Sequence, residues 1–232
     1  RAKAATMRCR TMASLFDIIG PVMIGPSSSH TAGAVRIGLV TRQLLNDEPV
    51  RAQIGLFGSF AATGRGHGTD KALCAGLLGM KSDDERIPQS LTLAKRRGMT
   101  VRFEKLTDVP QAHPNTAVIT ATGKTGKNIV VQASSLGGGR IMINKIDGID
   151  VQVSGEMHTL IVHNYDVPGH VALVTGLLHQ SHINIATMNL YRKSRGGYSV
   201  MVLETDQRID ASVIHHIAQA DGIIKTTWLE AC

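Results

Sequence analysis

Two stretches of the chain carry residue types that could do chemistry. The first, residues 25–33, reads Gly-Pro-Ser-Ser-Ser-His-Thr-Ala-Gly and precedes the amphipathic segment 34–45. The second, residues 58–70, reads Gly-Ser-Phe-Ala-Ala-Thr-Gly-Arg-Gly-His-Gly-Thr-Asp. Hydroxyl groups, an imidazole and the free N–H groups of a helix start suit a small polar anion. Both stretches are therefore candidate binding loops.

The chemistry of each stretch centres on one histidine. Imidazole is the side chain suited to proton transfer at neutral pH, so His67 could be a general base, a hydrogen-bond donor to a ligand or a structural residue. In the first stretch, the serines and His30 could hold a ligand; alternatively, Ser28 or Ser29 only caps the following helix and His30 is solvated. The glycine spacing in the second stretch fits neither the dinucleotide fingerprint nor the phosphate-loop motif.

The elements around these stretches follow from the spacing of apolar residues. Residues 54–57 predict a strand and residues 71–78 a helix, so we expect a strand, a glycine-rich loop and a helix that Thr69 or Asp70 could cap. Other elements are predicted in the first 150 residues: helical segments at 14–19, 34–45 and 88–97, and strands at 100–104, 117–122, 128–133 and 140–146. Residues 123–127 are predicted to be a hairpin turn.

Two short segments near the predicted strands are further candidates. Pro114 stiffens the segment that contains His113 and Asn115, so His113 is either held for a ligand or an ordinary loop histidine. The run Gly137-Gly138-Gly139 is either a tight turn or a backbone surface for a ligand. Residues alone leave both alternatives open.

The second half of the chain has a regular pattern. A change in composition near residues 150–157 marks a domain boundary. The elements that follow are strands at 158–163, 183–192, 198–205 and 223–229, and helices at 168–180 and 211–220. The order βαββαβ predicts two helices on one face of a four-stranded antiparallel sheet, the ferredoxin-like arrangement.

Composition limits the class of protein. The chain has 232 residues, for which we expect two domains. Its net charge is +7, but the basic residues are scattered and lack an aromatic platform, which argues against nucleic acid. No apolar run approaches the roughly 20 residues of a membrane span, and the basic start at residues 1–10 lacks an apolar signal core. We therefore expect a soluble, cytoplasmic protein.

The second half resembles the ACT family of amino-acid-sensing domains. The sequences Asn-Tyr-Asp-Val-Pro-Gly at 164–169 and Ile-Asn-Ile at 183–185 carry this resemblance. It implies a regulatory amino-acid site that contains Asn164, Pro168, Gly169 and Asn184. It also implies homodimerisation through this domain, and a degenerate copy that only dimerises is the alternative.

Residues 25–31, 58–70, 113–115 and 137–139, in this order, resemble the beta chain of the iron–sulfur-dependent L-serine dehydratases. The match runs from about residue 14 to residue 229. It implies an α+β protein with a mixed α/β domain at 12–153, similar to the allosteric substrate-binding domain, and an ACT domain at 156–232.

The same resemblance implies the reaction and its participants. L-Serine would be converted to pyruvate and ammonia by β-elimination, with His67 as the base that takes the α proton. The resemblance assigns substrate binding to Ser27, Ser28, Ser29, His30, Thr31, His113, Asn115, Gly137 and Gly138. A [4Fe-4S] cluster on the cysteines of an alpha subunit would polarise the substrate.

No metal ligand is expected in this chain, because Cys9, Cys74 and Cys232 lie too far apart for a zinc signature and no cluster motif is present. The chain alone is therefore expected to be inactive. The loop around His67 also resembles the allosteric substrate-binding domain of some phosphoglycerate dehydrogenases. The alternative function is thus a serine-binding regulatory module without catalytic residues of its own.

Overall fold

The computed structural model describes residues 22–231. The predicted helical turn at 14–19 lies outside these residues, as do Cys9 and Cys232. Within them the α-helices are α1 Ala34–Leu45, α2 Ser59–His67, α3 Thr69–Leu77, α4 Ser90–Arg96, α5 His170–Gln180 and α6 Ala211–Ala218. The strands are β1 Pro49–Phe57, β2 Thr100–Leu106, β3 Thr116–Gly123, β4 Asn128–Gly137, β5 Arg140–Ile146, β6 Ile149–Val153, β7 His158–Tyr165, β8 Ile185–Arg192, β9 Tyr198–Thr205 and β10 Ile223–Leu229. A π-helical turn, Ser28–Gly33, precedes α1, and a 3₁₀ turn, Ile87–Gln89, precedes α4.

The first sheet has six strands in the order β2-β1-β3-β4-β5-β6. Strands β1 and β2 are parallel and are joined through α2, α3 and α4, whereas the other neighbours are antiparallel. The predicted hairpin turn is confirmed, since Gly123 N–H donates to the Lys127 carbonyl at 2.8 Å. Helix α1 covers this sheet because Ile37 and Leu44 on one of its faces are fully buried.

Helices α1 and α3 cross at a pair of glycines. A Cβ atom on Gly38 would collide with the Leu73 carbonyl, and one on Gly76 would collide with the Val35 carbonyl. The two backbones therefore approach each other more closely than any larger residue would allow. This contact fixes α3, and with it the segment that carries His67.

The second sheet has four antiparallel strands in the order β10-β7-β9-β8. Successive side chains of β7 and β9 point to opposite faces of this sheet, and both faces are apolar. Leu160, Val162 and Met201 pack with Val174 of α5 and Ile217 of α6. The predicted order of elements, βαββαβ, is therefore confirmed, and the two sheets together give an α+β protein.

The opposite face of the second sheet joins the core of the first. Ile161, Val200 and Val202 belong to the same buried cluster as the residues of α1 and β3. The segment between the sheets is also tied down, because Arg36 Nη2 donates to the Gly155 carbonyl at 2.8 Å. One continuous core thus connects the two sheets, which the sequence pattern did not indicate.

The predicted loop at residues 58–70 is wrong, because almost all of this stretch is helical. Helix α2 begins directly after Gly58, whose φ of 58° turns the chain, and ends before Gly68, whose φ is 69°. Phe60 is fully buried and fastens α2 to the core, which outweighs the low helix propensity of the glycines. Gly68, rather than Thr69 or Asp70, stands at the start of α3.

Several element ends also differ from the prediction. The helix expected at 88–97 divides into the 3₁₀ turn and α4, and the strand expected from residue 183 begins at Ile185. The helix expected from Pro168 begins at His170. Between residues 22 and 231, no helix combines the length and the apolar character needed to cross a lipid bilayer.

Candidate functional site

The serine loop, residues 27–31, opens the site. Ser27 caps the π-helical turn, since its Oγ accepts a hydrogen bond from His30 N–H at 3.1 Å. Ser28 and Ser29, which one of the two alternatives made helix caps, contact the glycine turn. Ser28 Oγ accepts from Gly138 N–H at 3.3 Å, and Ser29 lies beside Gly137. The loop is therefore held against the glycine turn between β4 and β5.

His30 projects from this loop into a polar niche on α2. It is 8% exposed, and its Nε2 lies 3.1 Å from Thr63 Oγ1 and 3.3 Å from Ser59 Oγ. Its Nδ1 lies 3.4 Å from Ser27 Oγ. The edge of the ring packs against Phe60, with 5.2 Å between centroids. Hydroxyl groups thus face both ring nitrogens.

His67 lies next to His30 at the end of α2. The two ring centroids are 4.9 Å apart at an interplanar angle of 64°, and His67 is exposed whereas His30 is buried. Burial lowers the pKa of His30, the nearby His67 lowers it further, and the Ser59 carbonyl raises it. His30 is therefore neutral near pH 7, and the exposed partner is the imidazole that solvent and a ligand can reach.

The segment 113–115 docks on the start of α2. Ser59 N–H donates to the Pro114 carbonyl at 2.7 Å, and a Cβ atom on Gly58 would collide with Pro114. His113 is exposed, and its Nδ1 accepts from Asn115 N–H at 3.1 Å. This bond holds the His113 ring in place. The segment therefore joins the site at the N-terminal end of α2.

The glycine turn, Gly137–Gly139, closes the site on the other side. All three residues have positive φ, at 95°, 61° and 79°, so they form a tight turn. Its backbone also presents Gly138 N–H to the serine loop. The tight-turn alternative for this run is therefore confirmed.

Most of the predicted substrate residues are brought together, with one exception. Thr31 is 2% exposed and packs against Gly25, and its buried Oγ1 has no hydrogen-bond partner among the described residues. Ser59 and Thr63 were missed in the sequence. They lie one helical turn apart, and that i, i+4 relationship became visible only once α2 was known to be a helix.

The sulfur chemistry of the described residues does not fit a cluster. Cys74 lies on α3 and is fully buried, and burial raises the pKa of its thiol to about 11. Cluster ligation requires a thiolate, which this environment disfavours. Across residues 22–231, no three His, Cys, Asp or Glu side chains are grouped so as to hold a metal ion.

A cavity in the second half of the chain, the loop pocket, lies where β7 meets α5. Its volume is about 340 Å³, and its lining includes Asn164, Asp166, Pro168, Gly169, His170, Arg192 and Arg195. Asn164 is 3% exposed, and its Oδ1 has no hydrogen-bond partner among the described residues. Gly196 N–H and Arg192 hydrogen-bond the Asp166 carboxylate and lower its pKa.

Three of the four predicted regulatory residues line this loop pocket, and Asn184 does not. Asn184 lies just before the start of β8, and Arg192, at the other end of β8, lines the pocket. About 26 Å of extended strand therefore separates Asn184 from Arg192. Its side chain instead donates to Asp206 Oδ2 at 2.6 Å. Asn184, which the resemblance to the ACT family assigned to the regulatory site, therefore lies away from the pocket.

The comparisons with known proteins give the family. A model described as serine dehydratase beta chain matches residues 14–146. The chain is 42% identical over 214 residues to the probable L-serine dehydratase, beta chain, of Bacillus subtilis, covering 92% of this chain and 96% of that one. The chain belongs to the serine dehydratase beta-chain family. It is also 36% identical over 217 residues to the L-serine dehydratase beta chain of Peptoniphilus asaccharolyticus, covering 94% of this chain and 98% of the other.

The match to the serine dehydratase beta-chain model contains the whole site around His30 and His67, from Ser27 to Gly138. The loop pocket lies beyond it. A more distant similarity, 24% identity over 161 residues, connects 69% of the chain with 30% of a D-3-phosphoglycerate dehydrogenase of Bacillus subtilis.

Proposed function

We propose that this chain is the beta subunit of a two-chain L-serine dehydratase that converts L-serine to pyruvate and ammonia. The observation that carries the proposal is the paired imidazoles of His30 and His67, 4.9 Å apart beside the serine loop, in a chain whose relatives bear this name. An exposed imidazole beside a buried neutral one is suited to accept a proton from a bound amino acid.

The residues divide the work as follows. The serine loop and the turn at Gly137–Gly138 hold the polar groups of serine, with Asn115 and His113 at the other edge. His67 takes the α proton, and the β-hydroxyl leaves, so that aminoacrylate and water are formed. Aminoacrylate then tautomerises to the imine, and water hydrolyses the imine to pyruvate and ammonia.

We further propose that a [4Fe-4S] cluster is bound by the alpha subunit and not by this chain. The burial and raised pKa of Cys74 support this division, because the thiol is unsuited to ligation. What this chain contributes is the proton acceptor and the walls of the substrate site.

The second sheet with α5 and α6 is proposed to be an ACT domain, at residues 156–232, with a dehydratase beta domain at 12–153. The strand order β10-β7-β9-β8, with both helices on one face, supports a ferredoxin-like arrangement. The unpartnered Asn164 Oδ1 and the start of α5 support an amino-acid effector in the loop pocket.

Homodimerisation through this domain is proposed from its open sheet edges. Strand β8 pairs only with β9 among the described strands, and Leu190 on it is 47% exposed. Exposed edge strands favour pairing with a second chain. Sedimentation of the chain alone should show at least a dimer, and a monomer at micromolar concentration would contradict this.

The function is tested by reconstitution without air. The purified chain alone should show no iron–sulfur absorbance and make no pyruvate from L-serine, whereas adding the alpha subunit should produce both. Turnover by the chain alone would contradict a two-chain enzyme.

The second candidate is a serine-binding regulatory module, favoured by the similarity to a phosphoglycerate dehydrogenase. In that case, serine would bind the isolated chain, and the reconstituted mixture would make no pyruvate.

A further inference from the structure

We propose that Thr63 fixes His30 in the tautomer that carries its proton on Nε2, so that the Nδ1 lone pair faces the serine loop. Thr63 is then a positioning residue for the substrate site. The tautomer is assigned from the hydrogen-bond network. Its consequence for catalysis rests on the proposed dehydratase function, whereas the assignment itself does not.

The Thr63 hydroxyl has one proton to give. Its Oγ1 lies 2.9 Å from the Ser59 carbonyl, one helical turn earlier, and a carbonyl oxygen only accepts. With its proton used there, Oγ1 presents a lone pair to His30 Nε2 at 3.1 Å. A lone pair can pair only with an N–H, so Nε2 carries the proton. Ser59 Oγ, at the longer distance of 3.3 Å from Nε2, is then a second acceptor for the same N–H.

The other side of the ring leads to the same assignment. Ser27 Oγ already accepts from His30 N–H at 3.1 Å, which leaves its hydroxyl proton available to donate. The ring atom within reach is His30 Nδ1, at 3.4 Å. Donation to Nδ1 requires a lone pair on that atom, which is what the Nε2–H tautomer provides.

The ring is neutral, so one proton position determines the other. Burial and the neighbouring His67 both lower the pKa of His30, while the Ser59 carbonyl raises it, as expected for an acceptor near a ring N–H. The neutral ring also avoids two positive charges in adjacent imidazoles when His67 takes a proton. His30 is therefore a hydrogen-bond acceptor towards the serine loop.

This geometry defines the group that His30 recognises. An Nδ1 lone pair beside Ser27 selects a ligand that brings its own N–H or O–H, such as the ammonium or hydroxyl group of a small amino acid. The Ser27 proton can be displaced from Nδ1 by such a donor. In the opposite tautomer, Nδ1–H would meet the ligand with a donor, and this match would be lost.

The tautomer is measured directly by ¹⁵N NMR of the chain labelled in histidine, with His30 assigned by its loss in His30→Gln. We expect the His30 signals of the wild-type chain to show protonated Nε2 and unprotonated Nδ1. In Thr63→Val they should shift towards a mixture, and Thr63→Ser, which keeps the hydroxyl, should restore them. A protonated Nδ1 in the wild type would overturn the inference, whether or not the variants fold.

The catalytic consequence is measured in the enzyme reconstituted with its alpha subunit. Thr63→Val should lower kcat/KM by about 10- to 100-fold, the range found for hydrogen-bond partners that orient metal-bound histidines. Thr63→Ser should stay within about threefold of the wild type. The matched control is Thr120→Val, an exposed threonine on β3, which should leave kcat/KM unchanged.

The outcomes separate the two proposals. If the wild-type enzyme makes no pyruvate, the dehydratase function fails while the NMR assignment is still decided. If the enzyme is active and Thr63→Val changes neither the tautomer nor kcat/KM, the role of Thr63 is refuted.

Discussion

Two histidines beside the first sheet and two beside the second differ in exposure and in hydrogen-bond partners. Beside the first sheet, His30 and His67 face each other, one buried among hydroxyl groups and the other exposed. In the second sheet, His163 is fully buried with its Nδ1 near the Tyr198 hydroxyl, 3.1 Å away. His170 has the Tyr165 carbonyl 2.9 Å from Nδ1 and the Asp221 carbonyl 3.0 Å from Nε2.

The difference lies in which partners surround each ring. Hydroxyl groups around His30 can donate or accept, and His67 is open to solvent, so protons can move in the first pair. Backbone carbonyls lie on both sides of His170, Asn164 Nδ2 lies 3.3 Å from its Nδ1, and these contacts hold the ring between β7 and the turn before β10. A histidine beside a cavity is therefore evidence for proton transfer only when its partners can exchange protons.

The largest effect expected from this contrast is on the rate. His67→Ala in the reconstituted enzyme should lower kcat by about 10² to 10⁴, the usual contribution of a general base. Stability should stay the same because His67 is exposed. Steady-state kinetics with His179→Ala, an exposed histidine on α5, provide the control. If His67→Ala keeps full kcat and changes only the response to serine, the site is regulatory.

The second expected effect is a loss of folding stability at acid pH, caused by His163. Burial, together with the Lys225 charge, lowers the pKa of His163 to about 4 from its usual 6.5. Below pH 6.5 the unfolded chain binds a proton that the folded chain does not, so stability falls as the pH decreases from about 6.5 to about 4. The slope approaches about 1.4 kcal/mol per pH unit, and the total is on the order of 3 kcal/mol.

Urea unfolding across this pH range measures the slope. His163→Gln removes the titrating group and should flatten the curve in this window, even if its stability at pH 7 is lower. An equal slope in the wild type and the variant would show that His163 is not the group responsible.

A smaller effect is expected at the loop pocket. Asn164→Ala should leave the maximal rate nearly unchanged and shift the serine concentration that gives half of it by about fivefold or more, the lower range of allosteric coupling. The reason is that Asn164 Oδ1 is buried at the pocket and has no partner among residues 22–231, while Asn164 Nδ2 donates to the Tyr165 carbonyl at 2.7 Å. Asn128→Ala, at the exposed start of β4, is the control. A loss of maximal rate in Asn164→Ala alone would place the pocket in catalysis.

Many of the helices and strands can be predicted from the local pattern of apolar and β-branched residues. The apolar spacing that buries Ile37 and Leu44 predicted α1, and β-branched runs predicted most strands, because those residues meet the core wherever the rest of the chain lies. The turn at Gly137–Gly139 was one of two alternatives for that run, and the positive φ of its three residues explains why glycine stands there.

The site was less predictable because its geometry depends on distant residues. Helix α2 forms through burial of Phe60 and through the Pro114 carbonyl, 54 residues along the chain from Phe60, and neither contact is visible in a stretch rich in glycine. Ser59 and Thr63 could not be recognised without that helix. Asn184 was grouped with Asn164 by motif, although their positions on the strands keep them apart.

The smallest predicted effect tests whether α2 is a helix at all, and it uses two neighbouring glycines as a matched pair. A Cβ atom on Gly66 or on Gly68 would meet nothing within 4 Å, so neither substitution introduces a clash. Gly66 lies within α2, whereas Gly68 has a φ of 69°. Gly66→Ala should therefore stabilise the chain by about 0.5 to 1 kcal/mol, and Gly68→Ala should destabilise it by about 1 kcal/mol. Urea unfolding of both variants measures the difference. If residues 58–70 were a flexible loop, the two substitutions would have similar effects, and the niche that Thr63 and Ser59 form around His30 would lose its basis.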